Sequence, residues 1–200
     1  MRYPKLRELK EAIRSLLSKP YTTKFPYKPH VPYEKFRGKP KFNSSACVGC
    51  GACAEVCPSG AIEVTDDITA KPPRRKLVLN YGICIFCGQC QANCITQEGI
   101  KLSNEYDLAF FDKTHALETV EKDLILCQVC GGVIGPYEQL VWVAKKVGSA
   151  AYSNPTLYLA YLKSIGIISD DLPAVIEQIG RQDRMKMTCA ACRRKTTLST

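Results

Sequence analysis

The twelve cysteines of this chain fall into a pattern. Four lie in CVGCGACAEVC, residues 47–57, and four in CIFCGQCQANC, residues 84–94. Two pairs follow, CQVC at 127–130 and CAAC at 189–192. Thiolate sulfur is the ligand that zinc and iron–sulfur centres take. A sulfur at every third residue lets one loop wrap one inorganic core. Cys47, Cys50, Cys53 and Cys57 map onto Cys84, Cys87, Cys90 and Cys94 at a constant offset of 37 residues, so the chain carries an internal repeat.

The C-x2-C-x2-C-x3-C spacing is the bacterial ferredoxin run. Three of its sulfurs hold one face of a cube-shaped cluster. The fourth lies past the short helix that follows, too far round to reach the same cube, and serves the other cluster. The expected sets are Cys47, Cys50 and Cys53 with Cys94, and Cys84, Cys87 and Cys90 with Cys57, holding two [4Fe–4S] clusters. Gly51 and Gly88 each follow the second cysteine of a run, where the absence of Cβ lets backbone N–H groups turn toward sulfur. Pro58 closes the first run, but Ile95 stands at the matching place in the second, and one extra residue precedes Ile100 relative to Ile62. The expected result is a local bulge beside the centre that Cys94 completes, with all eight ligands kept.

Cys127, Cys130, Cys189 and Cys192 make a second candidate. Two C-x2-C pairs suit a tetrahedral S4 site, for one zinc ion in the first instance. Iron in a rubredoxin-like site and a redox dithiol are the alternatives. The 58 residues between the pairs exceed ordinary zinc-ribbon spacing and imply helices folded out between two knuckles. Neither histidine, His30 nor His115, belongs to a metal spacing. No phosphate-binding loop, nucleophile elbow or HExxH motif is present, so the sequence offers no catalytic residue.

The elements that must position these sulfurs follow from pattern. Residues 1–19 read as a basic amphipathic helix, with Leu6, Leu9, Ile13, Leu16 and Leu17 at helical spacing. It would pack on its own domain, on a partner, or on a membrane surface. Residues 20–43 are rich in proline and tyrosine, which blocks helix and predicts an extended arm lying on another subunit. Residues 44–112 are the ferredoxin domain, each run leading into a short strand, AIEVT and GIKLS, with KLVLN returning between them. Residues 113–200 are a C-terminal, mostly helical zinc-binding domain. Its predicted core is Trp142, Leu157, Leu159, Leu162, Ile165 and Ile176, on three helical stretches of which the last is DDLPAVIEQIG. The fold class is α+β, a pseudo-twofold bacterial-type 2[4Fe–4S] ferredoxin core with appendages at both ends.

The formal charge is +9 with cysteine counted neutral. Two clusters and one zinc site with their thiolates carry about −2 each, which leaves about +3. That weakens the case for a nucleic-acid-binding module. The absence of an apolar leader or spanning segment, and the cysteine usage, point to a reducing, cytoplasmic setting.

The arm ending in YEKFRGKP, the doubled cysteine run and the following LSNEYDLA resemble the two-cluster iron–sulfur subunit of complex I and of membrane-bound [NiFe] hydrogenases. With CQVC and CAACRRK added, the chain is similar in pattern to the small 4Fe–4S subunit of formate hydrogenlyase. The resemblance implies an electron wire, not an enzyme by itself. It would be peripheral on the cytoplasmic side of the membrane, with hydrogenase or complex I-like subunits on both sides of it. A soluble ferredoxin is the less fitting alternative, since a free carrier has no use for the arm.

Overall fold

The structure is a computed structural model that describes residues 5–168 and 185–198. The chain divides into two compact units between Glu34 and Lys35.

In the first unit, helix α1 runs Leu6–Leu17. Its start is fixed by Glu8, whose carboxylate accepts from the Lys5 N–H at 3.1 Å. Ser18 turns to extended backbone, and Pro20 follows, so the helix stops there. None of its residues is buried, and Leu6, Leu16 and Leu17 are each more than four-fifths exposed. Tyr21, Tyr27 and Tyr33 in the stretch that follows are as open.

The second unit holds the repeat. Strand β1 is Pro40–Phe42, helix α2 is Ala52–Glu55 and strand β2 is Ile62–Asp67. Strand β3 is Arg74–Asn80, helix α3 is Gln89–Ala92 and strand β4 is Ile100–Leu102. Each half is strand–helix–strand, yet the halves do not pair within themselves. β1 runs antiparallel to β4, with Pro40 opposite Leu102, and β2 antiparallel to β3, with Ile62 opposite Leu79. This exchange makes the core common to both halves. Leu77, Leu79 and Ile100 are 1–2% exposed, and Ala61, Ile62, Cys53 and Tyr81 pack with them. Each fully buried leucine or isoleucine contributes about 1.5–3 kcal/mol.

The sheet continues beyond the repeat. Strand β5, Leu117–Leu126, pairs with β3 from Arg74–Asp123 to Asn80–Leu117, and β6, Val133–Pro136, pairs with β5. The order is β2-β3-β5-β6, so the C-terminal segment expected to be mostly helical opens with two strands joined to the cluster domain. The inward positions of β5 are Val120, Lys122 and Leu124. A lysine among them hides the period-two signal in the sequence.

Helices α4 (Tyr137–Val147) and α5 (Pro155–Ser164) follow, and α6 (Ala190–Leu198) ends the described chain. The side chain of Asn154 caps α5 by accepting from the Thr156 N–H at 3.2 Å. The core here differs from expectation. Its fully buried residues are Ala144, Ala151, Ala160 and Thr156, while Trp142, Leu157, Leu159 and Leu162 are half-buried and Ile165 is 50% exposed. Small residues at the contact bring helix backbones close and leave larger side chains at the flanks. The helix expected in DDLPAVIEQIG, with Ile176, lies outside the described residues.

Candidate cluster sites and a four-cysteine metal site

The repeat brings eight sulfurs to two cavities. Cys47, Cys50, Cys53 and Cys94 line one, walled by Phe42, Val48, Leu77, Ile95 and Ile100. Cys57, Cys84, Cys87 and Cys90 line the other, walled by Pro40, Ile62, Leu79, Ile85, Phe86 and Leu102. The walls obey the same repeat, since Leu77 and Leu79 of β3 stand where Pro40 and Phe42 stand in β1.

The backbone turns that aim the sulfurs are paired in the same way. Gly51 and Gly88 cap α2 and α3 in left-handed conformation, at φ 81° and 80°. Gly49 (φ 69°) is matched by Phe86 (φ 53°), and Gly60 (φ 63°) by Gln97 (φ 61°). Two ordinary side chains therefore occupy backbone positions that glycine takes in the first half. The extra residue of the second run falls at Glu98, which sits exposed on the turn with both carboxylate oxygens 2.7 Å from Lys101 Nζ. Cys94 reaches its cavity despite the insertion, because Gly99 gives way. A Cβ at Gly99 would lie 3.1 Å from both Cys94 Sγ and the Cys47 Cα.

Two hydroxyls that sequence reasoning missed address the last cysteine of each run. Ser59 Oγ lies 3.7 Å from Cys57 Sγ, and Thr96 Oγ1 lies 3.4 Å from Cys94 Sγ. The signal was available, as Ser59 and Thr96 are themselves related by the repeat. The Ala61 N–H adds a bond to Cys57 Sγ at 3.2 Å. These donors shape the acidity of the thiols. Burial pushes Cys53 up to about 12 and Cys90 up to about 11, and it raises Cys47 and Cys84 as well. At Cys57 and Cys94 burial also raises, but hydroxyl and N–H bonds outweigh it and the net shift is downward. Donors aimed at sulfur and apolar walls fit an iron–sulfur cluster, whose positive irons hold deprotonated thiols. Cys53 and Cys90 stand on helices α2 and α3, which contact one another, so the two sets of sulfurs are neighbours.

The remaining cysteines form a third site. The sulfurs of Cys127, Cys130, Cys189 and Cys192 all lie within 4.8 Å of one another, and Cys130 Sγ is 3.8 Å from Cys189 Sγ. A tetrahedral Zn–S4 centre with bonds of about 2.3 Å has sulfur–sulfur edges of about 3.8 Å. The two knuckles are stitched together, Gln128 N–H to Met187 O at 3.0 Å and Met187 N–H to Gln128 Oε1 at 2.9 Å. The Cys189 N–H points at Cys127 Sγ at 3.3 Å, and with the N–H of Cys130 it holds the Cys127 thiol down to about 6. Gly131, at φ 71°, makes the knuckle turn. His115 lines neither cavity and stacks with Phe110, and His30, in the first unit, is exposed.

Among the described residues no helix is long and apolar enough to cross a membrane. Comparison with known proteins agrees with the geometry. The family described as a 4Fe-4S dicluster domain matches residues 33–97. NAD(P)H-quinone oxidoreductase subunit I of Gloeobacter violaceus is 29% identical over 143 residues, 68% of each chain. Formate hydrogenlyase subunit 6 of Escherichia coli is 40% identical over 109 residues, 54% of this chain and 59% of that one. A solved structure of the membrane-bound sulfane sulfur reductase, an archaeal respiratory membrane complex, aligns at 27% identity with a TM-score of 0.40, covering 58% of this chain and 61% of that one. The chain carries a 4Fe-4S dicluster domain over residues 33–97 and is a homologue of NAD(P)H-quinone oxidoreductase subunit I and of formate hydrogenlyase subunit 6.

Proposed function

We propose that the chain is the two-cluster wire of a membrane-associated hydrogenase of the formate hydrogenlyase kind. Cys47, Cys50, Cys53 and Cys94 hold one [4Fe–4S] cluster, and Cys57, Cys84, Cys87 and Cys90 hold the other. Bound there, the clusters supply one-electron chemistry at potentials set by hydrogen bonds, burial and charge. The chain's own residues do the rest. Leu77, Ile100, Ile62 and Leu79 keep water from the cavities. Ser59, Thr96 and Ala61 direct donors at the cysteines that cross between halves. The exchanged strands fix the separation of the two centres.

In this reading Cys127, Cys130, Cys189 and Cys192 bind one structural zinc ion that closes the C-terminal segment. Subunits of the complex flank the wire at both ends. Of the arm expected over residues 20–43, the exposed tyrosines of residues 20–34 make the contact, since Lys35 onward belongs to the second unit and Pro40–Phe42 pair as β1 with β4, and the assembly lies on the cytoplasmic face of the membrane. The observation that carries the choice of complex is the 40% identity to formate hydrogenlyase subunit 6, together with the second pair of C-x2-C motifs.

A complex I-like respiratory oxidoreductase is the second reading, favoured by the longer alignment, 143 residues, to the quinone oxidoreductase subunit. Anaerobic affinity purification from the native host separates the two. A co-purifying nickel-containing large subunit selects the hydrogenase, and a nickel-free complex with another terminal reductase selects the alternative. Fewer than about eight irons in the dicluster domain defeats both.

A further inference from the structure

The two cavities match in sulfur, wall and turn, but not in charge. β5 alternates, and the alternation turns Lys122 inward between Val120 and Leu124. Only 8% of this lysine is exposed. Its stem runs along the first cysteine loop, with Cγ 2.9 Å from where a Cβ of Gly49 would stand. Its Nζ donates to the Ser44 carbonyl at 2.7 Å and to Glu138 Oε1 at 3.2 Å. Ser44 and Gly49 bracket Cys47, and the Lys122 charge acts on the Cys47 thiol. Glu138, the counter-ion, is 42% exposed against 8% for the lysine. The Glu138 Oε2 is buried without a hydrogen-bond partner, but of the pair only the Lys122 charge acts on the Cys47 thiol, along whose loop its stem lies, so the cavity faces the positive end of the pair.

At the second cavity the comparable cation is Lys39, 16% exposed, but its Nζ lies over the Tyr81 and Phe110 rings at 5.9 and 5.4 Å and pairs with Glu105 at 3.4 Å. The charges acting on Cys84 and Cys90 are those of other cysteines. Arg37 donates to the Cys87 carbonyl at 3.2 Å, but from an exposed position where solvent and salt weaken its field. Glu118 does not favour either side, being bonded both to the Phe42 N–H at the first cavity and to Tyr81 next to the second. Arg75 reaches the Gly49 carbonyl at 3.2 Å but is matched by Asp66 at 2.7 and 2.8 Å, a neutral pair.

We propose that Lys122 ranks the two centres, so that the Cys47, Cys50, Cys53 and Cys94 set receives the first electron. The proposal rests on the two-cluster reading above. The step adds one electron to a site of about −2 and takes it to about −3, with no bond broken and no proton moved. A buried cation favours the more negative state. The single electron then rests on the side of β5, and the Cys84 set is the later one to fill.

The test is an anaerobic redox titration of the intact complex, followed by paramagnetic resonance. Wild type is compared with Lys122→Met, Glu138→Gln and Thr96→Val. Thr96→Val removes the hydroxyl at Cys94 and so marks which midpoint belongs to the first set. Lys122→Met is expected to lower that midpoint and leave the other in place, while Glu138→Gln, which unmasks the ammonium, raises the same one. Midpoints that stay put, or move together, in variants that keep about eight irons overturn the proposal. If Lys122→Met does not fold, Glu138→Gln decides alone, since a midpoint that fails to rise overturns it. Wild-type protein with neither cluster signal would instead defeat the two-cluster reading.

Discussion

Thr96 Oγ1 stands 3.4 Å from Cys94 Sγ and also accepts from the Gly99 N–H at 3.0 Å. The accepted bond turns the hydroxyl proton away from Gly99, leaving it free for the sulfur. A donor on a ligating sulfur stabilises the reduced, more negative state. Thr96→Val is therefore expected to lower one midpoint and Ser59→Ala the other, each alone, with iron content unchanged. Redox titration of each variant checks this, and a variant that shifts both midpoints equally counts against separate addresses.

Gly99→Ala should fail in a different way. The added carbon would meet Thr96 Oγ1 at 3.0 Å and Cys47 and Cys94 at 3.1 Å, and two of these neighbours are backbone or ligand. The expected cost is about 1–3 kcal/mol, with loss of iron from one site. Iron analysis beside thermal unfolding measures both effects.

Asp66 and Arg75 pair across β2 and β3 through two bonds of 2.7 and 2.8 Å. The Arg75 hydrogen bond holds the Asp66 carboxyl below its ordinary range. A depressed carboxyl contributes stability that is complete above its unfolded value, about 3.9, and is lost as pH falls through the folded one. Asp66→Asn should cost about 1 kcal/mol, given the partial exposure of the pair. Denaturation midpoints should show a constant gap between wild type and variant from pH 8 to pH 5. A gap that varies over that range would assign the effect to another group.

On the zinc reading proposed above, Cys130→Ser is expected to release the metal and leave both iron–sulfur signals intact, because no wall of either cavity includes Cys130. Metal analysis by mass spectrometry, with paramagnetic resonance on the same sample, separates the outcomes. Loss of iron in step with zinc would show that the three sites depend on one another.

Much of the site is legible in the sequence because ligand spacing is a local property. The offset between Cys47 and Cys84 is enough to match the two cysteine runs and the strands β2 and β4 that follow them, whereas β1 lies in the stretch read as an arm on another subunit and pairs with β4 instead. What resists reading is tertiary. Phe86 and Gln97 adopt left-handed backbone where their partners are glycines, and no propensity predicts this. It follows from the sulfurs they carry into place. Lys122 reads as a surface residue by type, and β5 is hard to recognise for the same reason. The small-residue contact of Ala144 and Ala160 is likewise invisible until two helices are set side by side, so large residues such as Trp142 look like the centre of a core that they only flank.

The crossed pairing of β1 with β4 and β2 with β3 has a consequence for the chain's history and handling. A fragment ending after Tyr81 would own neither cavity: one would be missing Cys94, the other Cys84, Cys87 and Cys90. If two duplicated ancestors once stood apart, they could have done so only as a pair of identical molecules clasping each other. The present polypeptide is that handshake made permanent, and neither palm can be withdrawn without emptying both.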